Sequence, residues 1–406
     1  MKVTRRGFMA GAGAAGLGMF RPLQLRANAP TAPVAIARCP GYGPEFLSAA
    51  ETLFDQLGGL GRLVKGKTVT IKINLTGEAD MRLDHVSAAR TSWTHPRSVA
   101  TVVHLLDKAG ARRIRVVEGA WAWAASLEEF MYLANWDAKL VLGAAPRVEL
   151  VNTNLPYKGK KPYTRFPVAN GGHLFPAFDL STAYAESDVL ISMAKLKQHL
   201  TAGITLSMKN CFGCSPTTIY GDKLPLDEPS PIPYGGRGEI GHAGSRQPPK
   251  SSPPEKDPKS PRDPGYRIPR FVSDLAAANP IHLAIIDGVE TITGAELPRQ
   301  GYTMPVKPGL LLAGTNCVTT DAVAAAVMGF DPMAERGTAP FQKCDSTLKL
   351  AEELGVGTRD LKQIEVIGVP IQKALFRFLD HVGPVPPEDG GILLRHCPGA
   401  PCAVNA

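Results

Sequence analysis

Between residues 67 and 119 the chain reads "KTVTIKINL", then "HPRSVATVVHLLDKAG" from 95, then "RRIRVVEG" from 112. The outer runs are rich in β-branched residues and predict strands. The middle run places Val99, Val102, Val103, Leu105 and Leu106 on one helical stripe, which Gly110 stops. Strand, helix and strand in this order fit a right-handed crossover between parallel strands. No other feature limits the fold as strongly, because a parallel sheet needs helices over its faces.

The pattern recurs. "PVAIAR" and the runs at 147–152, 188–194, 281–289, 309–314 and 363–368 read as further strands, several apolar at consecutive positions, as strands buried on both faces are. Runs 270–279 and 321–329 read as helices. The expected fold is α/β, an open, mainly parallel sheet with helices on both faces, formed as a single domain by 30–223 and 267–375. Residues 224–266, dense in proline, glycine, serine and charge, are expected as a flexible insertion, or as a lid because they begin soon after a cysteine pair. The tail, 376–406, reads as loop.

Residues 1–29 carry the pair Arg5 and Arg6, then Phe8 and a weakly apolar Ala/Gly stretch, the pattern of a twin-arginine export signal with a candidate cleavage site at 27–29. The stretch is too short and glycine-rich for a membrane span. The expected partner is the twin-arginine translocation machinery, and the expected location is periplasmic or extracellular. Without this leader the formal charge of +8 falls to 40 basic against 37 acidic side chains, a balance that gives no reason to expect nucleic acid.

The chemistry is concentrated in "MAKLKQHLTAGITLSMKNCFGC", 193–214. A buried parallel strand points its carboxyl end at the place where open α/β sheets bind ligands. An extended backbone would put Lys195, Lys197 and His199 on one face. Thr201 could then cap a helix leading to Lys209 and Asn210. Lysines before a helix N-terminus suit an anionic small molecule. Other strand ends supply Lys72, Asn74, Glu118 and Asp287, and His95 opens a helix. Asp321 is expected to stabilise the N-terminus of its own helix. We assign candidate catalytic roles to His199, Lys209 and Asp287, and ligand contacts to Lys72, Asn74, His95, Glu118, Lys195, Lys197 and Asn210.

Seven cysteines leave two readings open. Cys211, Cys214, Cys397 and Cys402 could hold a metal ion or an iron–sulfur cluster, or they could form disulfides. Cys39, Cys317 and Cys344 read as buried thiols or disulfide partners.

The stretches 71–75, 94–120, 190–213, 285–294 and 311–332 resemble the bacterial and archaeal domain of unknown function 362 family. The resemblance implies an α/β core and a site around the lysine/histidine segment, and it supplies no settled reaction. Three functions remain: an exported enzyme, metal- or redox-cofactor-dependent, acting on an anionic small molecule; a non-enzymatic periplasmic binding protein using the same lysines; or an interaction module whose proline-rich loop, 224–266, docks a partner.

Overall fold

The computed structural model describes residues 29–121, 126–156, 162–298, 303–380 and 382. Its centre is an eight-stranded sheet: β1 (Val34–Arg38), β2 (Thr68–Lys72), β3 (Arg113–Glu118), β4 (Val148–Asn152), β5 (Val189–Lys195), β6 (Leu283–Gly288), β7 (Leu310–Gly314) and β8 (Val366–Gly368). The spatial order is β8-β1-β7-β6-β5-β2-β3-β4. Neighbours run parallel except β7, which is antiparallel to both β1 and β6.

Strand alternation divides the core. Ile71, Ile191, Met193 and Ile285 meet α1 (Pro44–Gln56) and α2 (Pro96–Lys108) on one face. Leu190, Ala284 and Ile286 belong to the opposite core, with α4 (Pro264–Ala278) and α5 (Cys317–Val327), beside a short helix α3 (Leu206–Asn210). From β2 the chain proceeds to β3 and β4 on one side; from β5 it proceeds to β6 and β7 on the other. The crevice at the carboxyl ends of β2 and β5 is therefore the switch point of the sheet, where such folds place ligands.

Three local expectations need correction. After β5 the chain forms a tight hairpin, Gln198–His199 against Gly203–Ile204, which turns through 200–202 and re-enters at Gly203 with φ +72°. The helix thus begins at Leu206, and Thr201 caps nothing. Helix α5 starts at Cys317 with Asn316 as its cap, so Asp321 lies inside it. The Asp321 carboxylate instead accepts hydrogen bonds from the Ser207 and Met208 amides at 2.9 and 3.0 Å, and from the Ser207 hydroxyl at 2.6 Å, fixing the start of α3.

The segment 224–266 is also packed rather than loose. From Pro264 the segment already belongs to α4, and side chains hold the irregular backbone before it: Glu255 forms a fully buried ion pair with Arg267 at 2.5 Å, and Lys256 donates to the Gly172 carbonyl at 2.7 Å. At the start of the tail, Leu379 accepts from Gln198 and donates to Thr293. Among the described residues no helix is long and apolar enough to cross a membrane.

Candidate functional site

The sequence-derived candidates fall into two groups on opposite faces of the sheet. Lys72 pairs in register with Ser192, and both point to the α3 side; Lys195 pairs with Asp287, and both point to the α1/α2 side. The common face expected for 195, 197 and 199 is not kept, because β5 ends at Lys195 and the hairpin follows.

The first group fills the switch-point crevice. Lys72 Nζ lies 2.6 Å from Glu118 Oε1, both side chains being almost wholly buried. Glu118 also accepts from the Leu75 and Gly119 amides at 2.8 and 2.9 Å. Asn210 donates to the Lys72 carbonyl and to Ser192 Oγ, each at 3.0 Å, and accepts from Asn74 Nδ2 at 3.1 Å. Asn74 in turn accepts from Lys197 Nζ at 3.1 Å, while Lys197 also donates to the Ser92 and Glu296 carbonyls at 2.8 Å each. Burial of an unpaired polar group is costly, and this network leaves few such groups.

Two residues of the proline-rich segment complete the crevice, and sequence reasoning missed both. Arg237 donates to the Ser215 and Gly119 carbonyls at 2.6 and 2.7 Å. His242 meets the Phe212 ring edge-on at 5.5 Å, and the Arg237 carbonyl at 3.0 Å. The "GGRG" inside a proline-rich stretch was the available signal for a close backbone approach. Gly213 marks another: a Cβ there would stand 2.8 Å from both Glu118 Oε1 and Lys72 Nζ.

Lys72, Glu118, Trp121, Lys209, Asn210 and Arg237 line a cavity of about 50 Å³. That is room for roughly four waters or a small anion. The Lys209 amine lies 4.4 Å from the centre of the Phe212 ring and has no hydrogen-bond or ion-pair partner among the described residues. Burial pushes Lys209 down to about 7, with Arg237 and Lys72 adding to the effect and Glu296 opposing it. Burial, then Lys209, hold His199 well below its ordinary value, and burial brings His242 to about 4.

The second group is saturated. Lys195 Nζ donates to Asp287 Oδ2 at 3.1 Å, to the Tyr42 hydroxyl at 2.7 Å and to the Glu290 carbonyl at 2.7 Å. Tyr42 donates to Asp287 Oδ1 at 3.0 Å, which also accepts from the Val289 amide at 3.1 Å. His95 stacks on Tyr42 at 3.7 Å and caps α2; burial, then the Lys195 ammonium, push it down to about 4. The oxygens of Asp287 are occupied by protein donors, so its geometry is that of a brace between β5, β6 and α2. Tyr42, the hub, carried no signal in sequence.

Cys211 and Cys214 share one 3-10 turn beside Lys72, and all five described cysteines are buried free thiols. Hydrogen bonding to Cys214, with burial, pushes the Cys211 thiol well up. Cys397 and Cys402 lie outside the described residues. Among the described residues no group of three or more His, Cys, Asp or Glu side chains is placed to hold a metal ion.

The profile of the domain of unknown function 362 family matches residues 69–326, which include β2 to β7 and the whole crevice apart from peripheral loops. The chain belongs to this family. Thylakoid-associated protein sll1697 of Synechocystis sp. is 29% identical over 186 residues, covering 45% of this chain and 50% of that protein, so the chain spans about half the length of the curated relative it matches. Among solved structures, the lactate racemase apoprotein of Thermoanaerobacterium thermosaccharolyticum is similar at TM-score 0.35 and 10% identity, over 68% of this chain and 54% of that one. A protein from Thermotoga maritima is similar at TM-score 0.27 and 10% identity, over 43% and 38%. Neither likeness is close enough to say what this family member does.

Proposed function

We propose that the chain is an exported enzyme that binds a small oxyanion in the switch-point crevice, with Lys209 as its acid–base group. One observation carries this reading. Lys72, Lys197 and Arg237 are held by protein acceptors, whereas the Lys209 amine faces the cavity without one. An ammonium beside two further cations is a receptor for negative charge, and a ligand oxygen would supply the acceptor that the protein does not. A lysine lowered to about 7 also suits proton transfer near neutral pH.

Calorimetric titration of the mature chain with sulfate at slightly acid pH tests the binding. Saturable heat is expected from the wild type and little from Lys209→Met. A wild type that takes up no sulfate at millimolar concentration overturns the reading.

Export through the twin-arginine route is supported by Arg5, Arg6 and the mild Ala/Gly stretch behind them. Replacing both arginines by lysine should leave the folded chain in the cytoplasm, as followed by cell fractionation. Unchanged export of the double variant would refute the assignment.

A further inference from the structure

The crevice is built to receive acceptors. Its carboxylate, Glu118, is already bonded to Lys72 and two backbone amides, while the indole N–H of Trp121, buried on the same cavity, has no acceptor among the described residues. Lys209 adds a primary amine that lies over the Phe212 ring and has no hydrogen-bond or ion-pair partner among the described residues. A primary amine left without a protein acceptor can exchange a proton with a bound ligand and, when neutral, can also approach an electrophilic carbon. Every element around Lys209 bears on its charge: Lys72 from β2, Glu118 from β3, Lys197 and His199 from the hairpin region, Arg237 and His242 from the proline-rich segment, and Glu296 after β6. Burial, Lys72 and Arg237 favour the neutral amine; Glu296 and Glu118 oppose them.

We propose that Lys209 condenses with the carbonyl carbon of a short 2-oxo acid, whose carboxylate lies among the cations of the crevice. The proposal rests on the oxyanion reading and names the substrate class for it. The amine lone pair forms the C–N bond while the carbonyl π pair moves to oxygen. The oxygen gains a proton to give the carbinolamine, then takes up a second and leaves as water. The nitrogen loses two protons across these steps, so the imine and one water are the only products and no oxidant is needed. The Trp121 N–H is available to the oxygen that carries the developing charge.

Pyruvate is the probe, with sodium cyanoborohydride as the reductant that traps the imine as a stable secondary amine. The mature wild-type chain is incubated with both, and modified lysines are located by peptide mass mapping. The expected result is labelling at Lys209 on the order of tenfold faster than at any exposed lysine, saturable in pyruvate and slowed by sulfate. Labelling spread evenly over surface lysines, or labelling at Lys209 that sulfate does not slow, overturns the proposal. Sulfate binding measured in parallel separates the two readings. Binding without a Lys209 adduct removes the imine and keeps the oxyanion site; absent binding removes the site itself. Lys209→Arg, which keeps the charge, should bind sulfate and give no adduct at position 209.

Discussion

Replacing Arg267 by methionine is expected to destabilise the chain by about 3–5 kcal/mol, the usual effect of removing one partner of a buried ion pair. Neither Arg267 nor Glu255 exposes any of its side chain. Arg267 reaches both Glu255 oxygens, the Ser260 hydroxyl at 3.1 Å and the Ile240 carbonyl at 2.9 Å. With the guanidinium gone, the carboxylate keeps Arg262 at 3.1 Å, but that arginine is partly in solvent and compensates weakly. Burial alone would push Glu255 up; the hydrogen bond and charge of Arg267, with the Ser260 and Gln247 hydrogen bonds, together outweigh it and hold the carboxyl below its ordinary value. The stabilisation is therefore present above the ordinary carboxylate range and is lost as pH falls through the lowered native value. Urea unfolding of Arg267→Met should show a reduced midpoint, and the double variant Glu255→Met/Arg267→Met should recover much of the loss. A change below about 1 kcal/mol in the single variant would mean that the pair does not anchor the proline-rich segment.

That segment also shows where sequence reasoning stopped. Strands buried on both faces are written as consecutive apolar residues, so β5 and β6 were legible from "DVLISMA" and "IHLAIID", whereas the partly buried edge strands β4 and β8 were legible only from short β-branched runs. Strand ends named Lys72, Asn74, Glu118, Lys195 and Asp287 without further information. Which of these meet was not legible, because it depends on strand order and on the alternation that sends Lys195 and Lys72 to opposite faces. The proline-rich composition argued against regular elements, yet a six-residue helix forms at Gly238–Ala243 and the 15-residue α4 already begins at Pro264. It said nothing of Glu255 and Arg267 finding each other, or of Arg237 reaching back to the Gly119 carbonyl across 118 positions. Asp321 failed in the same manner: a carboxylate in a helix was assigned to that helix, whereas it serves the N-terminus of α3. Local pattern predicts elements; polar partners distant in sequence assemble the site.

Sulfate affinity is expected to be highest below about pH 7 and to fall by about tenfold per pH unit above it. The sign follows from Lys209. Its native value is about 7, well under the ordinary 10.5, so the ammonium that holds the anion is present below that value and lost as pH rises through it. A bound anion favours the ammonium, so the fall begins at the native value and levels off at the higher value of the bound state. His199 and His242 are held neutral by burial well below this window, so neither produces it. Asp321 does titrate nearby, raised to about 7 by burial, and the charge it gains above that point also disfavours an anion near α3. Lys209→Met separates the two groups. At about pH 6 it should bind sulfate roughly 10–100-fold more weakly, the loss of a charged hydrogen bond, and any slope that remains belongs to Asp321. The dithiol at Cys211 and Cys214 is controlled by replacing both with serine, which should leave the slope intact. Imine formation must run the other way, increasing with pH because it uses the neutral amine. Opposite slopes for sulfate binding and pyruvate trapping, crossing near pH 7 and both lost in Lys209→Met, would assign the two behaviours to one side chain; parallel slopes would place the anion and the reactive amine in different parts of the crevice.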